Sequence, residues 1–254
     1  MASRNVLVFG SSNAGKTSMI NMLTHNNYPV NNSACGCTFE TVSIPPVTNG
    51  EIQYHFLDTA GLNETDKGTV KSKDAVKNIV KLLKHSKSGM NLLIYVMRIG
   101  TISQTEKDNV NMFCNVITGN MIPTICVITG CENEEPMTQW VTNNRHIFQQ
   151  NGMVFMDMVG TCFASGGRFE TSFKPLREDS ARRVWDAITT HSAQEPVDFV
   201  KKSGGMIAVV KRVWNAFCTW IGQPAWRWVN EHVKNMLIRL GFRSDEADEI
   251  AEEF

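Results

Sequence analysis

Residues 10–17 read Gly-Ser-Ser-Asn-Ala-Gly-Lys-Thr, and no other stretch narrows the fold as far. The apolar run Asn5-Val6-Leu7-Val8-Phe9 precedes it, short enough for a buried strand. Ser18-Met19-Ile20-Asn21-Met22-Leu23 follows, with apolar spacing that suits a helix. Strand, loop and helix in that order make G-x-x-x-x-G-K-[ST] a phosphate cradle, because loop amides and a helix N-terminus then face one anion. Gly10 and Gly15 permit the tight turns. Ser11, Ser12, Asn13, Ala14 and Ser18 contribute loop and first-turn amides, Lys16 a point charge, and Thr17 a hydroxyl for a magnesium ion.

A second element, Phe-Leu-Asp-Thr-Ala-Gly at 56–61, puts an acidic residue where a strand ends, the edge at which open α/β sheets bind ligands. Asp58 is the candidate magnesium partner and Gly61 the candidate amide for a terminal phosphate. Between the two motifs, apolar runs at 39–44 and 53–57 flank Pro45-Pro46-Val47-Thr48-Asn49-Gly50, and the Asn-Gly predicts an antiparallel hairpin. Further strands are predicted at 92–96, 124–128 and 153–158. Helices are predicted at 70–84, 103–116, 137–149 and 174–191. The alternation predicts an α/β chain, a three-layer sandwich around a mostly parallel sheet with one antiparallel edge strand; with the phosphate loop at 10–17 this resembles the P-loop NTPase type. After Pro196 the strand signal ends, and helical spacing at 206–220 and 225–240 flanks the breaker Gly222-Gln223-Pro224. The expected organisation is a nucleotide-binding domain at 1–195 and a C-terminal α-helical extension at 196–254.

Charge adds an exclusion. Lysine plus arginine equals aspartate plus glutamate, 25 each, which gives no case for nucleic acid as a partner. The seven cysteines are an odd count with several in predicted core elements, as in a reduced, cytoplasmic protein. The N-terminus lacks the features of a secretory signal, and no apolar run reaches the roughly 20 residues that span a bilayer. Cys35-Gly36-Cys37 stands without a second pair, so it does not meet the usual zinc pattern.

The phosphate loop, the threonine within Ala34-Cys35-Gly36-Cys37-Thr38-Phe39-Glu40 and Asp58-Thr59-Ala60-Gly61 together resemble the GTP-binding domain of the translation-factor-related GTPases. Residues 68–113, a long helix, an apolar strand ending in Arg98-Ile99-Gly100 and a polar helix start like T-x-x-E/D-K, resemble the septin-like branch, closest to the immunity-associated (GIMAP-type) GTPases and their chloroplast-import relatives. The resemblance implies GTP and GDP as ligands with Mg2+ as cofactor. It makes Thr38 the switch threonine on magnesium, with Thr41 and Ser43 as alternatives. Lys16, Thr38, Asp58 and Gly61 become the catalytic set, and Thr17, Thr38 and Asp58 the metal set. The base-reading motif [N/T]-K-x-D falls on Thr129-Gly130-Cys131-Glu132, where Gly130 replaces the lysine and Glu132 keeps a carboxylate one methylene longer. Glu134 and Glu135 lie nearby. Ala164 and Ser165 are the expected backbone contact to the guanine oxygen.

Many such GTPases carry a glutamine after D-x-x-G to orient water; this chain has Leu62, with Asn63, Glu64, Thr65 and Arg98 as the substitutes at hand. Hydrolysis is therefore expected to be slow, and the resemblance implies a nucleotide-dependent homodimer. The leading expectation is a GTPase switch. A GTP-dependent assembly or membrane scaffold with vestigial hydrolysis is the alternative. An ATP-using kinase would need an acceptor site and an arginine-bearing lid. Trp214, Phe217, Trp220, Trp226 and Trp228 alternate with lysines and arginines, a composition that suits either a membrane-surface helix or aromatic packing on the domain.

Overall fold

The computed structural model describes residues 2–26, 41–59 and 81–221, with positions 234, 235, 237, 238, 241–245, 247 and 248 beyond them. Strand β1 (Ala2–Phe9) leads through the glycine-bearing loop into helix α1 (Lys16–Thr24). Strands β2 (Thr41–Ser43), β3 (Val47–Asn49) and β4 (Ile52–Thr59) follow, then a helical stretch at 81–85, β5 (Leu92–Arg98) and α2 (Gln104–Val110). The remainder is β6 (Thr124–Thr129), α3 (Gln139–Gln150), β7 (Met158–Thr161), α4 (Glu170–His191), α5 (Phe199–Lys202) and α6 (Met206–Ile221). The sheet order is β2-β4-β1-β5-β6-β7, with β3 also on β4. β1, β4, β5, β6 and β7 pair in parallel, while β2 and β3 are antiparallel to β4. This is the expected α/β sandwich.

Side-chain alternation sorts the central strands between two cores. Leu7 and Phe9 of β1, Leu93, Tyr95 and Met97 of β5, and Cys126 and Ile128 of β6 enter one. Val6, Val8, Leu92, Ile94, Val96, Ile125 and Val127 enter the other. Strands buried on both faces read as continuous apolar runs, which is why they were visible in the sequence. The first core is closed by Phe113, Ile117, Val141 and Phe148, and the second by Met19, Ile20, Val184 and Ile188. Phe199, Val209, Val210 and Val213 of the C-terminal segment are buried in the first core, beside Leu83, Phe113 and Ile117. Arg212 Nη2 donates to the Ile117 carbonyl (3.3 Å) and to Ser203 Oγ (2.9 Å).

Several predicted elements shift. The strand at 39–44 is described only at Thr41–Ser43. The edge then breaks at Pro45-Pro46, which supply no backbone N–H, and resumes as β3. The Asn-Gly turn does close a hairpin, between β3 and β4, with Asn49 opposite Ile52 and Gly50 at φ 62. The strand predicted at 153–158 lies instead at Met158–Thr161, because Val154 and Met156 face solvent at 72% and 60% exposure. The helix predicted at 103–116 is α-helical only to Val110 and continues as a π-helix over Asn111–Ile117. The helix predicted from 174 begins at Glu170. Of the helix at 70–84 only 81–84 lie among the described residues. The helix at 225–240 and the side chains of Trp214, Phe217, Trp220, Trp226 and Trp228 lie largely or wholly outside them. No helix of the described residues is long and apolar enough to cross a membrane.

Register carries the sheet into the site. Val8 stands opposite Asp58, and Phe9 opposite Tyr95, so the loop leaving β1 emerges between Asp58 and Val96. At Gly10, φ is +146 and an added Cβ would lie 2.0 Å from the Val96 carbonyl oxygen. Gly10→Ala must therefore push β1 from β5 or displace the loop. We expect a loss of about 3 kcal/mol or more, read as a fall in the urea midpoint, since strain at a backbone that only glycine adopts joins a steric clash.

Candidate functional site

The carboxyl ends of β1, β4, β6 and β7 share one edge of the sheet, and the phosphate loop, Asp58, Thr129, Glu132, Ala164 and Ser165 lie at or just after those ends. Asn13 (φ 57) and Gly15 (φ 96) adopt left-handed backbone around Ala14, a geometry that turns successive amides inward as an anion-binding nest. Helix α1 starts immediately after, with no side chain capping its N-terminus, so its first-turn amides are left for a ligand. Lys16 is almost wholly buried, and its Nζ donates to the carbonyls of Gly10 and Ser11, both at 2.9 Å. The ammonium is thereby strapped across the loop mouth.

Two side chains from outside the motif hold this loop. Thr129 Oγ1 donates to the Ala14 carbonyl (2.7 Å), and Gly15 leaves room for it: an added Cβ would come within 3.1 Å of Thr129 Cγ2. Thr129 was predicted as a nucleotide contact. In this structure its hydroxyl is buried and bonded to the phosphate loop. Asn109 Nδ2 donates to Ser11 Oγ at 3.2 Å from helix α2, a contact that no sequence pattern signals.

Next to the loop, Thr17 Oγ1 donates to Asp58 Oδ2 at 3.3 Å. Asp58 Oδ1 is buried without a hydrogen-bond partner among the described residues. Burial raises the Asp58 carboxyl above the ordinary carboxylate range, and Lys16 and the Thr17 hydroxyl oppose that rise without cancelling it. Thr59 Oγ1 donates to the Val8 carbonyl (2.9 Å) and fixes the strand end that presents Asp58. A buried carboxylate oxygen with no donor, beside a hydroxyl and an ammonium, fits a hard cation bound by oxygen. Thr17 and Asp58 are the residues that would hold magnesium. Thr38, Gly61, Leu62, Asn63, Glu64 and Thr65 lie outside the described residues. Arg98, at the end of β5, is exposed.

At the opposite end of the loop, Gly130 has φ +83, and an added Cβ would stand 3.2 Å from Ile99 Cγ2. A side chain in the lysine position of the base-reading motif is thus strained here. Glu132 follows, and its Oε2 is also buried without a hydrogen-bond partner among the described residues. Burial first, opposed by the Ala164 amide and reinforced by the Glu132 carboxylate, raises the Cys162 thiol. Glu132 thus faces the segment that carries Ala164 and Ser165. That segment is pinned at several points: Cys131 N donates to the Thr161 carbonyl (3.0 Å), Cys162 N to Ser180 Oγ (2.9 Å), and Arg177 Nη1 to the Ala164 carbonyl (2.9 Å). Arg177 is also paired with Glu170, whose Oε2 accepts from Gly166 N at 2.6 Å. The Arg177 hydrogen bond, followed by the Gly166 amide, holds the Glu170 carboxyl below its usual range. This clamp was missed in the sequence, although a seven-residue spacing puts both side chains on one helix face.

Residues 5–130, just under half of the chain, match the family model described as 50S ribosome-binding GTPase. No curated protein sequence matches. Solved structures with a similar arrangement include Era from Aquifex aeolicus bound to GDP·AlF4−, at 18% identity and a TM-score of 0.49, over 70% of this chain and 57% of that one. Another is Toc33 from Arabidopsis thaliana in complex with GDP and Mg2+, at 19% identity and a TM-score of 0.48, over 78% and 89%. The chain spans little more than half the length of the first of these. The family match and the sheet order support a P-loop GTPase fold.

Proposed function

We propose that this chain is a magnesium-dependent GTP switch of the septin-like, immunity-associated branch, hydrolysing GTP slowly to GDP and phosphate. One observation carries the reading: an ammonium strapped over an amide nest beside a buried carboxylate whose Oδ1 has no donor. Such a site holds a polyphosphate and its counter-cation together. Lys16 would release the Gly10 and Ser11 carbonyls to meet phosphate oxygens, and Thr17 and Asp58 would orient the cation. Magnesium bound there supplies neutralisation of charge on the outer phosphates. Glu132 would accept the two N–H donors of guanine, with Ala164 and Ser165 at the other side of the base.

Leu62 has no polar atom to orient water, which supports slow turnover in the isolated chain. A second copy, paired across the nucleotide face, is the proposed source of the missing group. Phe169 favours that face, since it is 56% exposed close after the 162–166 segment. Sizing in GDP and in a slowly hydrolysed GTP analogue checks it: the apparent mass should rise only with the analogue.

The switch itself is tested by calorimetry with slowly hydrolysed GTP and ATP analogues, with and without magnesium. GTP should bind at least tenfold tighter than ATP, a difference of about 1.4 kcal/mol, and equal binding would sink the guanine assignment. Asp58→Asn should bind GTP as the wild type does without magnesium and lose the magnesium-dependent gain, about tenfold or more for a charged contact. The pH dependence has a definite sign. A carboxyl raised in the folded state costs stability when ionised, and either a proton or a cation relieves that cost. The magnesium-dependent gain should therefore shrink as pH falls toward the raised Asp58 value, and a pH-independent gain would remove Asp58 from the metal site.

A further inference from the structure

Helix α2 starts at a capping box, where Ser103 Oγ accepts from Glu106 N (3.3 Å) and the Glu106 carboxylate accepts from Ser103 N (2.5 Å). Its last turn carries Asn109, 1% exposed. A carboxamide is an expensive group to bury and persists where its hydrogen bonds are specific. Here Nδ2 reaches across 98 positions of chain to Ser11 Oγ at 3.2 Å. Directly after Asn109 the helix widens into the π-helix Asn111–Ile117, marked by Thr118 N donating to the Phe113 carbonyl (3.2 Å). Such widenings occur frequently at functional sites, because one extra residue in a turn re-aims the neighbouring side chains. The widened segment cannot drift, since Phe113 and Ile117 are buried against Val209, Val210 and Val213, and Arg212 bonds the Ile117 carbonyl.

Resting on the GTP-binding reading above, we propose that Asn109 is a positioning residue of the nucleotide site, acting through Ser11 to hold the phosphate loop in its binding shape. Ser11 lies between Gly10, whose carbonyl and Ser11's own accept from Lys16, and the left-handed Asn13. Its amide and carbonyl can serve phosphate and Lys16 only if the residue is held at a fixed height over α1. Thr129 bonds the loop at Ala14, and Asn109 bonds it at Ser11. Once the ammonium turns to a ligand, the bonds from Thr129 and Asn109 remain on the loop.

A double-mutant cycle on the intact chain tests this, with affinity for GDP and magnesium read by calorimetry well below the melting temperature. Asn109→Ala and Ser11→Ala should each weaken GDP binding by about tenfold, a hydrogen bond's worth, and the double variant should be no weaker than either alone. Asn109→Asp gives the second readout. Its carboxylate beside the loop should weaken GTP more than GDP and GDP more than GMP, with a loss that salt reduces. A purely structural asparagine would lower the melting temperature and leave the Asn109–Ser11 coupling in GDP affinity absent. Losses that multiply to about a hundredfold in the double variant, or an Asn109→Ala chain that binds GDP as the wild type does, overturn the proposal. If the wild type binds neither GDP nor GTP, the switch reading falls and takes this one with it.

Discussion

Lys16→Met is expected to weaken GTP and GDP binding by about a hundredfold or more while the chain remains folded. Methionine keeps the length and apolar stem of a side chain that is only 8% exposed, so packing survives while the charge and its two donated bonds to the Gly10 and Ser11 carbonyls are removed. Hydrogen bonds from a charged donor are worth about 1.5–3 kcal/mol each, and Nζ, which now bridges the Gly10 and Ser11 carbonyls, has at least two such bonds to give to phosphate oxygens. Two at the lower figure amount to about 3 kcal/mol, or somewhat over a hundredfold. The empty protein also changes, in a direction the site dictates. Lys16 is the main group holding the Asp58 carboxyl down against burial, so without it Asp58 should rise further and stay protonated to higher pH. Lys16→Met should accordingly need a higher pH than the wild type before magnesium changes its melting temperature. Nucleotide affinity within threefold of the wild type would show that the loop does not hold phosphate.

The parts of this site that were legible in the sequence are those where chemistry leaves no choice. Gly10 must be glycine where a Cβ would strike Val96, Gly15 must adopt φ 96, and Lys16 and Thr17 must follow on a helix. Strands β1, β5 and β6 were legible because burial on both faces demands an unbroken apolar run. What was not legible depends on tertiary partners. Met153 is buried and Val154 exposed in a loop that merely looks like a strand, whereas the real strand, Met158–Thr161, contains a glycine that its neighbours require: a Cβ on Gly160 would meet the Met137 carbonyl at 2.2 Å. The π-helix at Asn111–Ile117 has no compositional mark. Thr129 has the right residue type for a base-reading motif, yet the loop beneath it claims its hydroxyl. Asn109 and the Glu170–Arg177 clamp are ordinary polar residues on helices, and only the fold shows that one bonds Ser11 and the other the segment that faces Glu132. Sequence reasoning thus found the groups expected to touch a ligand and missed those that position them.

Glu132 offers the sharpest separation of a functional residue from a structural one, because the two roles predict opposite signs. Its Oε2 is buried without a donor, and an unsatisfied buried polar atom costs about 1–3 kcal/mol. Glu132→Ala should therefore hold or raise the melting temperature of the empty protein. The same substitution removes the acceptor that guanine's two N–H groups require, and a site built to bond a group discriminates steeply once that bond is lost. GTP affinity should fall by about tenfold or more, and the preference over ATP should vanish with it. Glu132→Gln sharpens the test, since its amide NH2 would face guanine's amino group donor to donor and should favour a base that presents an acceptor there, as xanthine does with its 2-oxo group. Restoring the lysine of the motif would not compensate: Gly130 sits at φ +83 with Ile99 close by, so Gly130→Lys should lower stability without improving guanine binding. A Glu132→Ala chain that melts lower and keeps its preference would make the glutamate a structural residue, and guanine recognition would then have to come from the backbone around Ala164 and Ser165. A chain that melts higher while losing guanine would show that the empty fold carries an unpaired carboxylate oxygen for the sake of the base it binds.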